Sequence, residues 1–230
     1  EANLDGVDLI YHLAARVSVP HSVEFPLEAN EANLGKTLQL IQNAIKNRVR
    51  RFIFASSSSV YGDLPGFPKK EDADLRPLSP YAVSKRMAET YCDQASRHWG
   101  LETVVFRFFN VFGPLQPPLH SYAAAVPAFL AAAFQNLPLP VYGDGKQTRD
   151  FTYVANVVDG NLLAADADHV AGRVFNISNG RTTSLLKLIE LLNEYLGTEI
   201  EPKFELPRSG DVRESMGDIA MARRYLAYEP

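Results

Sequence analysis

Three short apolar runs, separated by helix-patterned stretches, constrain this chain more than any other feature. Residues 7–13 (VDLIYHL), 51–55 (RFIFA) and 103–109 (TVVFRFF) are nearly continuous in apolar side chains rather than alternating. Strands of that texture are covered on both faces, as in parallel sheets. Between the first two runs, Leu34, Leu38, Ile41 and Ile45 recur at helical spacing. Between the second and third, Ser79 and Pro80 supply an N-cap and a first-turn proline, and Gly100 supplies a C-terminal stop. Strand–helix–strand repetition predicts an α/β fold built on a doubly wound parallel sheet.

After Gly113-Pro114 the texture changes. Pro114, Pro117 and Pro118 precede an alanine-rich helix expected over about 122–135, with further helices near 154–167, 184–196 and 219–226 and a strand at 174–177. The expected division is a sheet-forming region over 1–114 and a mixed region over 115–230, which completes the sheet and adds a small lobe. The chain opens on Glu1-Ala2-Asn3-Leu4 and closes just after a helical pattern. Both ends look cut.

Composition narrows the function. With 23 Lys+Arg against 27 Asp+Glu, the net charge is −4, so the basic face of a nucleic-acid binder is not expected. The cluster Arg48, Arg50, Arg51 reads as a solvated helix end leading into a strand. Cys92 is the single cysteine and the five histidines lack metal-site spacing, so neither a disulfide framework nor a metal site is expected. No apolar run approaches the ~18 residues of a membrane span. A reducing, cytoplasmic setting is the default expectation.

Tyr81 and Lys85 are the first candidates for chemistry. At i and i+4 on a helix they share a face. A free tyrosine titrates near ~10, and a neighbouring cation would lower that value toward the range of a useful base. Spacing alone also fits chance, since Tyr142 and Lys146 repeat it within the turn Tyr142-Gly143-Asp144-Gly145-Lys146. Only Tyr81 and Lys85 lie just inside a capped helix. The second strand ends in Ala55-Ser56-Ser57-Ser58-Ser59. Hydroxyls at the carboxyl end of a parallel strand point into the crevice where such sheets bind ligands, although a self-capping polar turn accounts for them equally well.

Six motifs occur in order. They are Ser56 to Gly62, Ser79-Pro80-Tyr81-Ala82-Val83-Ser84-Lys85, Arg107 to Pro114, Tyr142 to Phe151, Phe175-Asn176-Ile177, and Pro207-Arg208-Ser209-Gly210-Asp211-Val212-Arg213. Together they closely resemble the extended short-chain dehydrogenase/reductase family, and within it the NAD-dependent nucleotide-sugar epimerases. The resemblance covers essentially the whole chain. It implies a Rossmann-like sheet with a small C-terminal substrate-binding lobe, and epimerisation at C4 of a UDP-hexose through a 4-keto sugar. Tyr81 would be the base, Lys85 would hold the nicotinamide ribose, and Ser57 would hydrogen-bond the reacting oxygen. Family dehydratases carry Thr-Asp-Glu where this chain has Ser57-Ser58-Ser59, so the acid–base pair for eliminating water is lacking.

The same resemblance implies that NAD lies along Ala14 and Ala15 and touches Asn33, Ser56 and Phe108, besides Tyr81 and Lys85. His12-Leu13-Ala14-Ala15 ends a strand with small residues, which suits close backbone approach or plain packing. The family's Asn-x-x-Gly-Thr reads Asn33-Leu34-Gly35-Lys36-Thr37 here, with the glycine displaced. The glycine-rich loop that brings a pyrophosphate onto a helix N-terminus is absent from the 230 residues; in the family it precedes the strand that ends at His12, so the resemblance implies that the first βαβ part of the sheet lies before Glu1. The UDP-sugar would be held by Ser18, Ser57, Ser58, Asn110, Ala125, Tyr142, Arg149, Arg208, Asp211 and Ser215, the last being a small residue where bulk would limit the sugar's 2-substituent. UDP-GlcNAc and UDP-GalNAc are therefore expected beside UDP-Glc and UDP-Gal. The alternatives are a uronate epimerase or decarboxylase on the same scaffold, or a non-catalytic sugar-nucleotide binder. The helix after Pro80 carries a second apolar stripe, Val83, Met87, Tyr91 and Ala95, rotated away from Tyr81 and Lys85; family members pair this helix with the one around 34–45 into a dimer, so a homodimer is expected.

Overall fold

The computed structural model describes residues 4–117, 124–207 and 212–230. Its first strand, β1 (Leu9–His12), leads through α1 (Val19–Glu24), α2 (Pro26–Asn30) and a π-helical turn (Glu31–Gly35) into α3 (Lys36–Lys46). Strand β2 (Arg51–Ser57) ends in a 3-10 turn (Ser58–Tyr61), and after a long connection α4 (Pro80–His98) precedes β3 (Glu102–Phe108). Then follow β4 (Val111–Phe112), α5 (Ala125–Phe134), β5 (Leu139–Tyr142), β6 (Thr148–Arg149) and β7 (Thr152–Tyr153). The remainder comprises α6 (Val154–Asp166), β8 (Arg173–Ile177), β9 (Thr183–Ser184), α7 (Leu185–Leu196), β10 (Pro202–Glu205) and α8 (Ala220–Leu226).

The central sheet is wholly parallel, in the order β1-β2-β3-β8. Alternate side chains of its strands serve two cores, as the continuous apolar runs require. Phe52, Phe54 and Val105 pack under α3 and α4 with Ile41, Ala88 and Cys92. Ile53, Val104, Phe106, Phe175 and Ile177 face the opposite way, toward α6 and α8. A smaller core (Phe129, Leu139, Val141, Leu185, Ile189) joins α5, β5 and α7, beside the two-stranded β5-β10 sheet. The expected α/β parallel sheet is present. β8, from the second half of the sequence, completes the main sheet.

Local chemistry explains the helix that matters most. Ser79 Oγ accepts from the Ala82 N–H at 3.1 Å, and Pro80 occupies the first turn, where a missing N–H costs nothing. Two expectations need amending. Helical structure before α3 starts at Val19 rather than near Leu34, because Pro20 and Pro26 each initiate a short helix. On α4, the stripe Val83, Met87, Tyr91, Ala95 is not one face: Val83 and Met87 are exposed, Tyr91 is half-buried and Ala95 is fully buried. Among the described residues, no helix is long and apolar enough to cross a membrane.

Candidate active site

The carboxyl ends of β1 and β2 and the first turns of α4 converge. Ser57 is the last residue of β2, and its hydroxyl caps the following turn by accepting from the Ser59 N–H at 3.2 Å. That turn closes at Gly62, whose φ of +63° is suited to glycine. A Cβ there would stand 1.9 Å from the Arg76 carbonyl oxygen, so glycine at the end of Val-Tyr-Gly is a steric requirement. Tyr81 lies in the first turn of α4, where backbone N–H groups lack helical partners. Its own N–H donates to Ser22 Oγ at 3.1 Å, which ties α4 to α1.

The Tyr81 side chain is 8% exposed. Desolvation raises its pKa above the ordinary tyrosine value, and a hydrogen bond with the Ser57 hydroxyl acts in the opposite direction. Tyr81 and Ser57 are thus near neighbours at the end of β2. Lys85 follows one turn on, 2% exposed, with its ammonium donating to the Ala55 carbonyl at 2.7 Å and lying 4.9 Å from the Phe54 ring centroid. Burial lowers its pKa to about 8, against the opposing influence of Cys92 and Glu89. One expectation is corrected here. The phenol is not lowered by Lys85: the ammonium turns inward to the end of β2, and the phenol's balance is struck between burial and Ser57.

Asn33, expected at the cofactor, is buried and fully engaged with the protein. Its Oδ1 accepts from the Arg16 N–H at 2.8 Å, and its Nδ2 donates to Arg16 O at 3.0 Å and to Ser84 Oγ at 3.3 Å. Asn33 therefore shapes the exit of β1, the segment carrying exposed Ala14 and half-buried Ala15. Ser56 also spends its hydroxyl internally, on Glu89 Oε1. Phe108 packs against the core on the α6 side, and half-buried Ser18 caps α1 through the His21 N–H at 3.2 Å.

The remaining candidates gather around a second junction. Asn110 Nδ2 donates to the Asp150 carbonyl at 3.2 Å and to Ser215 Oγ at 3.3 Å, which brings two expected substrate residues together. Arg149, next to Asp150, is half-buried, with Nη1 donating to the Thr148 carbonyl at 2.8 Å. Tyr142 ends β5 and Ala125 opens α5, both half-buried, and Ser58 begins the turn after Ser57. Arg208 and Asp211 lie outside the described residues.

Three features escaped the sequence reading. Asp150 is wholly buried, and its carboxylate accepts from the N–H groups of Asn179 (2.7 Å), Gly180 (3.1 Å) and Gly217 (3.2 Å), clamping the segment that holds Ser215 to the end of β8. A Cβ at Gly217 would come within 2.6 Å of Ser178 Oγ, so that approach needs glycine. His12 lies against Phe52 and Phe54, with Nε2 2.8 Å from Thr37 Oγ1. Because Thr37 already donates to the Asn33 carbonyl, His12 must be the donor, which fixes the Nε2–H tautomer. Burial, helped by Lys85, lowers its pKa to about 4, so it is neutral. Glu89 and Arg107 form a buried pair, at 2.8 Å. An arginine inside an otherwise apolar strand was its visible sign.

The residues present suit a dinucleotide. Among the described residues, one acceptor, Ala55 O, takes one of the three donors of the Lys85 ammonium. The others remain for ribose hydroxyls beside Tyr81, at the strand ends where parallel sheets bind nucleotides.

Comparison with known proteins agrees. Residues 2–178 match the model of the NAD dependent epimerase/dehydratase family. The UDP-glucose 4-epimerase of Mycolicibacterium smegmatis is 35% identical over 224 residues, 97% of this chain and 71% of that protein. The UDP-N-acetylglucosamine 4-epimerase of Methanobrevibacter ruminantium, solved with UDP-N-acetylmuramic acid, is 37% identical with a TM-score of 0.95, over 99% of this chain and 72% of that one. The UDP-glucuronic acid 4-epimerase of Bacillus cereus, solved with UDP-glucuronic acid and NAD, is 32% identical with a TM-score of 0.91, over 99% and 71%. The chain belongs to the NAD dependent epimerase/dehydratase family, alongside UDP-sugar 4-epimerases, and is an NAD-dependent isomerase.

Proposed function

We propose that this chain inverts C4 of a UDP-hexose, taking UDP-Glc/UDP-Gal and also UDP-GlcNAc/UDP-GalNAc. The observation that carries the reading is the placing of the buried Tyr81 phenol beside Ser57 at the end of a parallel strand, with the Lys85 ammonium one helical turn away.

Tyr81 accepts the proton of the sugar 4-OH, and Ser57 hydrogen-bonds the same oxygen and sets its approach. Bound NAD supplies the hydride acceptor, and afterwards the donor, at C4. Lys85 would hold the nicotinamide ribose with the ammonium donors that Ala55 leaves over. The keto sugar turns in the pocket, and Tyr81 returns the proton when the opposite face of C4 is reduced. No net redox change or proton release results. Ser57, Ser58 and Ser59 place hydroxyls and no carboxylate at the strand end, which disfavours elimination of water.

Asn110, Arg149, Arg208 and Asp211 would take the diphosphate and nucleoside ribose, and Tyr142 the uracil. A guanidinium suits phosphate oxygens by charge and by its planar fork. Ser215, small and next to Asn110, supports acceptance of an N-acetyl group. Exposed Val83 and Met87 on α4 support a homodimer through that helix. The test is product analysis by NMR after NAD-loaded protein is incubated separately with UDP-Glc, UDP-GlcNAc and UDP-glucuronic acid. The first two are expected to yield C4 epimers. Turnover of the uronate alone would overturn the hexose reading.

A further inference from the structure

Behind the reacting residues lies a polar cluster with no part in the proton transfer. Glu89 follows Lys85 by four residues and Tyr81 by eight, on the same face of α4. Its side chain is 1% exposed. Oε1 accepts from Ser56 Oγ and from Arg107 Nε (3.1 Å), and Oε2 accepts from Arg107 Nη2 (2.8 Å). Ser56 and Arg107 are register partners on β2 and β3, so two adjacent strands reach the same carboxylate. Arg107 Nη1 goes on to donate to Tyr61 Oη and to the Glu71 carbonyl, both at 3.0 Å. Tyr61 Oη donates to Asn176 Oδ1 on β8 at 2.7 Å. One buried chain of hydrogen bonds thus crosses α4, three strands and the turn after Ser57.

A buried ion pair gives little net stability over apolar residues of the same volume, because desolvation offsets the attraction. What it adds is direction. The carboxylate binds Ser56, the residue before Ser57, and the planar fork of Arg107 permits one arrangement. A slip of α4 by one residue would move its side chains by ~1.5 Å along the helix axis, enough to break the Tyr81–Ser57 contact.

We propose that Glu89 is a positioning residue for the epimerisation, holding the Tyr81 face of α4 in register with Ser57 through Ser56 and Arg107. The inference rests on the roles given above to Tyr81 and Ser57. Glu89 also supports the charge on Lys85, whose pKa it raises against burial. The groups facing that ammonium are Glu89 and Cys92 on α4, His12 on β1, and the Phe54 ring and Ala55 carbonyl on β2.

The experiment compares NAD-loaded wild type, Tyr81→Phe, Glu89→Asp and the double variant Glu89→Met/Arg107→Met. A single Glu89→Met would strand a buried guanidinium, whereas the double variant removes both charges and keeps the volume. It is expected to melt near wild type, with kcat down by about 10-fold or more and KM within ~2-fold. The alkaline limb of its kcat/KM profile is expected to move to lower pH, because Lys85 loses its carboxylate neighbour. Glu89→Asp, which keeps the charge but is one methylene shorter, is expected to lose part of kcat. A folded double variant with wild-type kcat and an unmoved limb overturns the inference, as does wild-type kcat in Glu89→Asp. If Tyr81→Phe is inactive in that case, the function proposed above survives. Wild-type activity in Tyr81→Phe would sink both.

Discussion

Lys85 Nζ stands 2.7 Å from the Ala55 carbonyl oxygen, so a helix one turn past its N-terminus is bolted to the last residues of the strand it covers. The ammonium is buried there with that carbonyl and the Phe54 ring as its immediate neighbours. Such a site is costly for a cation: burial lowers its pKa to about 8, against the raising influence of Cys92 and Glu89.

The sign of that cost is testable. The folded-state pKa of Lys85, about 8, is below its ordinary 10.5. Between those values the unfolded chain keeps a proton that the folded chain has lost, so stability rises with pH across the window. Below about pH 8 the folded state carries the full burden of the buried charge. Lys85→Met is expected to raise the unfolding free energy at pH 7 by up to about 3 kcal/mol and to flatten the rise between pH 8 and 10.5, while abolishing turnover. Denaturant titrations at several pH values check this. A less stable Lys85→Met at pH 7 would contradict it.

His12 follows the same sign in the acid range. Its pKa is lowered from 6.5 to about 4, so the unfolded state takes up a proton first as pH falls through that window. Stability is lost progressively from about pH 6.5 toward 4, by up to about 3 kcal/mol. His12→Gln, which keeps a donor for Thr37, is expected to remove this acid sensitivity. Proton–nitrogen correlation NMR should show a neutral Nε2–H ring at pH 6. A protonated ring there would refute the assignment.

Ser215 offers a test of sugar choice. It is 8% exposed, and its hydroxyl accepts from Asn110. Ser215→Tyr is expected to remove activity on UDP-GlcNAc by about 10²-fold and to spare UDP-Glc, as read by kcat/KM on each. An equal fall on both would show that the residue supports the loop and does not gauge the 2-substituent.

The legible parts of this molecule were those written in local code. Two of the three apolar runs, β2 and β3, are the doubly covered strands their texture called for, whereas the first run forms the edge strand β1 and leaves Tyr11 and Leu13 exposed; Ser79-Pro80 opens the helix that carries Tyr81 and Lys85 on one face. The stretch from Val19 to Gly35 was illegible because its helices are only five or six residues long, too short for apolar periodicity to show. The Glu89–Arg107 pair and the Asp150 clamp were hidden for another reason. Each joins residues 18 to 67 positions apart, and which charge meets which backbone amide is decided by strand order, not by neighbours in sequence. The direction of Lys85 was missed likewise: helical spacing sets the side of α4 it occupies, while Ala55 on another element decides where its ammonium ends.

The most direct test of the central claim is the rate of C4 inversion of UDP-glucose by Tyr81→Phe. Removing only the phenolic oxygen takes away the proton acceptor and leaves the ring to fill its buried site. The account predicts a fall in kcat of at least ~10²-fold with an unchanged melting temperature. A variant that inverts C4 at close to the wild-type rate would contradict it.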